Sequence, residues 1–208
     1  MELWKRVAAA ALWLAMLGSG VEAQNGQTSL GVSSTAIASR PNYVLTVSGL
    51  HERGKNSLSG FLDIYGHGIN DYGELYYRRS LKGPNLQAEV NGGNGVPPIF
   101  RTGTIFDIVK KERIYANVKI LPLNVSTKSG LLREMQTGPY VSANLGKGFS
   151  LESWLDFTFD YDGSKSSVLT TTTLKRNMGK KWYLQGIASR KVYSGGWDFG
   201  LGVGYKIK

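Results

Sequence analysis

Two histidines are the first side chains to weigh for chemistry, because no cysteine exists anywhere in the 208 residues. That absence removes thiolate nucleophiles, zinc–thiolate centres, iron–sulfur clusters and disulfide scaffolds together. His51 and His67 each fall at the end of an expected strand. His67 shares a strand face with Asp63, four residues earlier, which is the weak catalytic pair of this sequence. A base oriented by a carboxylate could activate a nucleophile, but no serine can be placed beside it. The sequence has no G-x-S-x-G, H-E-x-x-H or Walker loop, and its glycine runs at 92–95 and 200–204 open no helix that could hold a phosphate. Asp156, Asp160 and Asp162 lack the spacing and terminal Glu of a calcium loop, so they read as a polar stripe ending in an Asp-Gly turn. No metal and no cofactor is expected.

Charge is the stronger signal. Lys and Arg number 25 against 15 Asp and Glu, a formal net charge of +10. Nucleic acid is the usual partner of such a balance, but here the cations are scattered and no recognition module accompanies them, so none is expected. Arg78, Arg113 and Lys119 are the positions most suited to lining a polar interior and drawing in anions, with Asp156 and Asp160 setting a transverse field across it. Adjacent pairs such as Arg78-Arg79, Lys110-Lys111 and Lys180-Lys181 cannot both face one side of a strand. At least half of each must flank the sheet, where it can snorkel or meet anionic headgroups.

The elements that would position these residues are strands. Phe199, Leu201, Val203, Tyr205 and Ile207 alternate with Asp198, Gly200, Gly202, Gly204 and Lys206. Leu155, Phe157, Phe159 and Tyr161 alternate with Trp154, Asp156, Thr158, Asp160 and Asp162, and Ile114, Ala116, Val118 and Ile120 with Arg113, Tyr115, Asn117 and Lys119. Period two with one apolar and one polar face is the mark of antiparallel strands. About twelve such segments follow residue 42, at roughly 42–50, 57–67, 72–82, 85–91, 99–109, 112–121, 128–135, 137–146, 149–161, 166–176, 180–192 and 196–207. Residues 1–23 read as a secretory signal: Lys5 and Arg6, the apolar run Val7–Leu17, then small residues ending at Ala23. Residues 24–41 read as a weakly ordered stretch or a first strand, and 42–208 as one barrel domain.

Many of these segments have the ~9–11 residues needed to cross a bilayer as a tilted strand. Their polar faces are rich in small and charged residues. Tyr43, Tyr72, Tyr140, Trp182, Tyr193 and Trp197 fall near strand ends, as an interfacial girdle requires. The fold expected is therefore all-β: an antiparallel up-and-down transmembrane β-barrel of eight to twelve strands, twelve fitting best. With its leader and the closing strand WDFGLGVGYKIK, the chain resembles the small Gram-negative outer-membrane β-barrel proteins, and in size and basicity their small basic channels. The resemblance implies an outer-membrane location, partnership with membrane lipids and the barrel insertion machinery, and passive passage of small anionic solutes or a purely structural role. It departs from the class in ending on Lys208. Two other readings are a lipid-modifying barrel enzyme built on His67 and a secreted or periplasmic soluble β-sandwich that binds carbohydrate.

Overall fold

A computed structural model describes residues 27–38, 43–65, 71–93, 96–128, 130–132, 134–161, 166–191 and 196–207. The leader expected at 1–23 lies outside them. The strands are β1 (Gln27–Ile37), β2 (Tyr43–Arg53), β3 (Asn56–Tyr65), β4 (Tyr72–Arg79), β5 (Asn85–Gly93), β6 (Val96–Lys111), β7 (Ile114–Ser126), β8 (Gly130–Leu132), β9 (Glu134–Gly146), β10 (Phe149–Asp160), β11 (Ser166–Met178), β12 (Trp182–Lys191) and β13 (Trp197–Ile207).

Every pairing is antiparallel. β1 closes on β13 from Leu30↔Ile207 to Ile37↔Gly200, and β7 pairs with both β6 and β9. Twelve long strands thus complete a closed ring, which leaves no sheet edge and excludes a two-sheet sandwich. β8 is a short extra strand laid against the end of β7, from Asn124↔Leu132 to Ser126↔Gly130. The strand expected at 128–135 is thus divided among the described residues: Gly130–Leu132 form β8, and Glu134 and Met135 already belong to β9. The ring reaches twelve through β1 instead, whose alternation is faint because its outward positions run Leu30, Val32, Ser34, Ala36.

The orientation of the two faces decides the class. On β5, Asn85, Gln87, Glu89 and Asn91 are buried while Leu86 between them is exposed. On β13, Leu201 is 77% exposed and Phe199 54%, while Gly200 and Gly204 are buried. A soluble sheet would bury the leucines and solvate Glu89. Here the arrangement is reversed around the ring, so the apolar band faces outward and the polar set fills the interior. Trp182 and Trp197, both about half exposed, stand outward near opposite ends of this band. They are tied to one strand by the registers Trp182↔Tyr205 and Arg190↔Trp197.

Chain direction gives the barrel two different ends. The connections Gly54-Lys55, Ser80 to Pro84, Glu112-Arg113, Lys147-Gly148 and Gly179 to Lys181 all lie at one end, together with the start of β1 and the finish of β13. We call this the turn side. It collects Lys55, Lys82, Lys111, Arg113, Lys147, Lys180 and Lys181, with Arg53, Arg79 and Arg176 at the strand ends beside them.

Candidate functional site: the barrel interior

Register alone brings most of the interior charge together. Across β4 and β5, Glu74 opposes Asn91, Tyr76 opposes Glu89 and Arg78 opposes Gln87. Across β5 and β6, Glu89 opposes Arg101. These inward positions form a linked wall. Arg101 Nη1 lies 3.5 Å from Glu89 Oε1, and its Nη2 lies 4.0 Å from Glu134. Gln87 Nε2 donates to Glu89 Oε2 at 3.1 Å, and Arg78 Nη2 donates to Gln87 Oε1 at 3.4 Å. Arg78 Nη1 also reaches the Tyr115 hydroxyl on β7, at 3.4 Å. That hydroxyl donates to Asp107 Oδ1 and accepts from Asn117 Nδ2. Tyr72 donates to Glu74.

Lys119 and Asp156 form the shortest interior ion pair described, Nζ to Oδ1 2.7 Å. They stand on β7 and β10, with β9 between them. The contact is possible because Gly138 is Lys119's partner on that intervening strand. A Cβ built on Gly138 would fall 1.6 Å from the Leu155 carbonyl oxygen and 3.2 Å from Asp156 Cα. Gly138→Ala must therefore displace backbone, an overpacking cost of about 1–3 kcal/mol. It is expected to lower the temperature at which the folded barrel opens in detergent, read as the shift in its heat-dependent gel mobility. Lys175 and Glu152 supply a further pair at 3.1 Å.

The opposite arc, over β12, β13 and β1, is neutral and small at mid-barrel. Gly200, Gly202 and Gly204 face inward, so Gln185 Nε2 can cross β13 to donate to Thr35 Oγ1 at 2.8 Å. The Tyr183 ring lies over Gly204, where a Cβ would meet it at 2.1 Å. A charged arc thus faces a smooth one.

The residues singled out from sequence divide as follows. Arg78, Lys119, Asp156 and Asp160 take inward positions, Asp160 opposite Glu134 at the end of β10. Arg113 does not: it sits in the two-residue β6–β7 turn. The polar alternation it appeared to extend starts only at Tyr115. Asp63 is inward and accepts a hydrogen bond from Thr46 Oγ1 at 2.6 Å, while His67 lies outside the described residues. Among the expected girdle aromatics, Trp182 and Trp197 face outward, but Tyr72 and Tyr140 face inward. Tyr72 is turned by its register opposite Gly93 and its bond to Glu74, and Tyr140 stands between Asn117 and Trp154. Tyr43 opens β2, its side chain outside the described part, as is all of Tyr193.

Sequence reasoning missed Glu74, Glu89, Arg101, Glu134 and Glu152. Glu89 and Arg101 could have been found, since each is a single charge between less polar neighbours, Ala88 and Val90 or Phe100 and Thr102. The described interior is not the basic lining that composition suggests. Arg101, Lys119 and Lys175 are paired with carboxylates and Arg78 is held by Gln87 and Tyr115, while many of the remaining cations stand at the turn side. Of the adjacent pairs, Arg78 points in and Arg79 out, while Lys180-Lys181 belongs to a turn.

No family model matches this chain, and no curated protein matches it. Among solved structures it is similar to a KdgM porin in complex with disordered oligogalacturonate, with TM-score 0.60, 9% identity, and coverage of 86% of this chain and 99% of that one. It is also similar to the NanC porin, with TM-score 0.63, 10% identity, and coverage of 86% and 100%. The translocator domain of autotransporter NalP from Neisseria meningitidis aligns at TM-score 0.52 and 9% identity, over 100% of this chain and 97% of that one. Identities this low speak for fold alone. The fold is that of the small outer-membrane porin barrels.

Proposed function

We propose that this chain is an outer-membrane channel through which small hydrophilic solutes diffuse passively, anions being favoured at its turn-side mouth. The carrying observation is the inverted barrel: a closed ring with leucine outside and glutamate inside. Such an object buries its apolar face only in lipid, and backbone groups paired around a closed ring carry no unsatisfied edge into the hydrocarbon. Residues 1–23 would direct export, and the insertion machinery would assemble the strands. The mechanism contains no chemical step.

Solute choice follows from where charge is uncompensated. Within the wall, Arg101, Lys119 and Lys175 are paired with Glu89, Asp156 and Glu152, and the inward Asp63, Glu74 and Asp107 accept from Thr46, Tyr72 and Tyr115, so the interior adds no anion preference of its own. At the turn side the lysines are not so matched. They raise the local concentration of anions, an effect that weakens with salt. The oligogalacturonate in the similar KdgM structure is an acidic sugar chain, which fits this chemistry. Liposome swelling with galacturonate and glucosamine, solutes of similar size and opposite charge, tests the reading. The sugar acid should permeate faster, and its advantage should shrink as salt is raised. No swelling with either solute, or faster uptake of the amino sugar, would overturn it.

A further inference from the structure

We infer that the turn-side end of β9 to β13 binds the phosphate headgroup of an anionic phospholipid. This rests on the membrane reading above. Two adjacent turns build the site: β9–β10, carrying Lys147, and β11–β12, carrying Lys180 and Lys181. Asn177 N donates to the Gly148 carbonyl at 2.8 Å, which clasps one turn to the other.

Arg176 and Lys181 are seated on aromatic rings, and among the described residues neither has a carboxylate partner. The Arg176 guanidinium carbon lies 5.3 Å from the centre of the outward Phe149 ring. Lys181 Nζ lies 5.6 Å from the centre of Tyr205, and that ring meets Trp182 edge-on with centroids 4.8 Å apart. No Asp or Glu occurs in 144–151 or 174–184, and Glu152 beyond them is held inside by Lys175. Among the described residues the charge of this corner is therefore uncompensated. The β2–β3 and β6–β7 turns differ, since Arg53 follows Glu52 and Arg113 follows Glu112.

Position selects the partner. Arg176 and Lys181 stand over outward-facing rings, at the level where the apolar band gives way to the turns, and Met178, Trp182 and Leu184 present exposed apolar surface beside them. A phosphate at that level can take charge-assisted hydrogen bonds from the cations while its acyl chains lie on the apolar band. A solute anion in the pore would meet inward cations such as Lys206 instead, whose Nζ is engaged by Asn177 Oδ1 at 2.8 Å.

The test is native mass spectrometry of the full barrel released from mixed phosphatidylcholine and phosphatidylglycerol vesicles. The variants are Arg176→Gln/Lys180→Gln/Lys181→Gln and, as control, Lys55→Gln/Lys111→Gln/Arg113→Gln. Retained phosphatidylglycerol should exceed phosphatidylcholine on the parent and the control. It should fall in the first variant by about fivefold per cation removed, the ratio matching ~1 kcal/mol per basic residue near an anionic surface. Equal retention of the two lipids by the parent, or equal retention by the two variants, overturns the site while leaving the membrane barrel standing. Failure of the parent to enter vesicles, read by its heat-dependent gel mobility, overturns both.

Discussion

Leu201→Arg is expected to destabilise the membrane-inserted barrel by about 2–4 kcal/mol, the cost of a lipid-facing cation near the bilayer midplane. Leu201 lies midway between Trp197 and Tyr205 on β13, and Tyr205 opposes Trp182. The two outward tryptophans thus bracket it by eight residue steps, about 27 Å along the strand at 3.4 Å per residue. It is also the most exposed large apolar side chain described. The same substitution on the surface of a soluble protein would change stability by about 0.5 kcal/mol or less. Urea unfolding of barrels refolded into phosphatidylcholine vesicles, followed by fluorescence of the tryptophans, separates the two cases. A shift in midpoint equivalent to less than ~0.5 kcal/mol would contradict the outward, lipid-facing assignment of this strand.

The second large effect concerns ion selectivity. Lys119 and Asp156 neutralise each other at 2.7 Å on the interior wall. Lys119→Gln leaves a bare carboxylate facing the pore, and Asp156→Asn leaves a bare ammonium. A unit charge ~7 Å from a permeating ion is worth about 0.6 kcal/mol at the dielectric of water, close to a threefold change in population, and more beside a low-dielectric wall. Lys119→Gln should therefore move the permeability ratio about threefold toward cations, and Asp156→Asn about threefold toward anions. The double substitution should return near the parent value, because it removes both charges from the pore. Reversal potentials across a salt gradient report all three. Shifts of the same sign in both single variants would refute the pairing as the determinant.

Both predictions draw on features that were legible in the sequence to different degrees. The closing strand could be read to its faces, because large apolar residues alternate with glycine or charged residues over its full length and nothing interrupts the period. β10 and β7 were legible for the same reason. β1 was not, since Ser34 and Ala36 occupy outward positions and carry too little apolar contrast. The segment at 128–135 had the composition of one strand, but Gly130 to Leu132 pair with β7 outside the ring, while Glu134 and Met135 open β9 and pair with β10.

At the interior, face assignment located Lys119 and Asp156 separately. Their contact depends on β9 lying between their strands with Gly138 at the crossing, a three-strand coincidence that no spacing in one strand encodes. Arg113 was misplaced because alternation cannot say where a strand ends and its turn begins. Tyr72 and Tyr140 were misplaced because closeness to a strand end does not fix the face; register and hydrogen-bond partners do. Net charge misled in another way. It sums over turns and walls alike, whereas the interior pairs Arg101, Lys175 and Lys119 with Glu89, Glu152 and Asp156, and many other cations stand on turns that composition cannot locate.

The most direct measurement is single-channel recording with the purified protein in a planar bilayer. Insertion of an open barrel predicts discrete, ohmic steps of uniform size, with a reversal potential on the anion-selective side when the turn side faces the dilute salt. Stable insertion without any conductance step would contradict the channel and leave a closed structural barrel in its place.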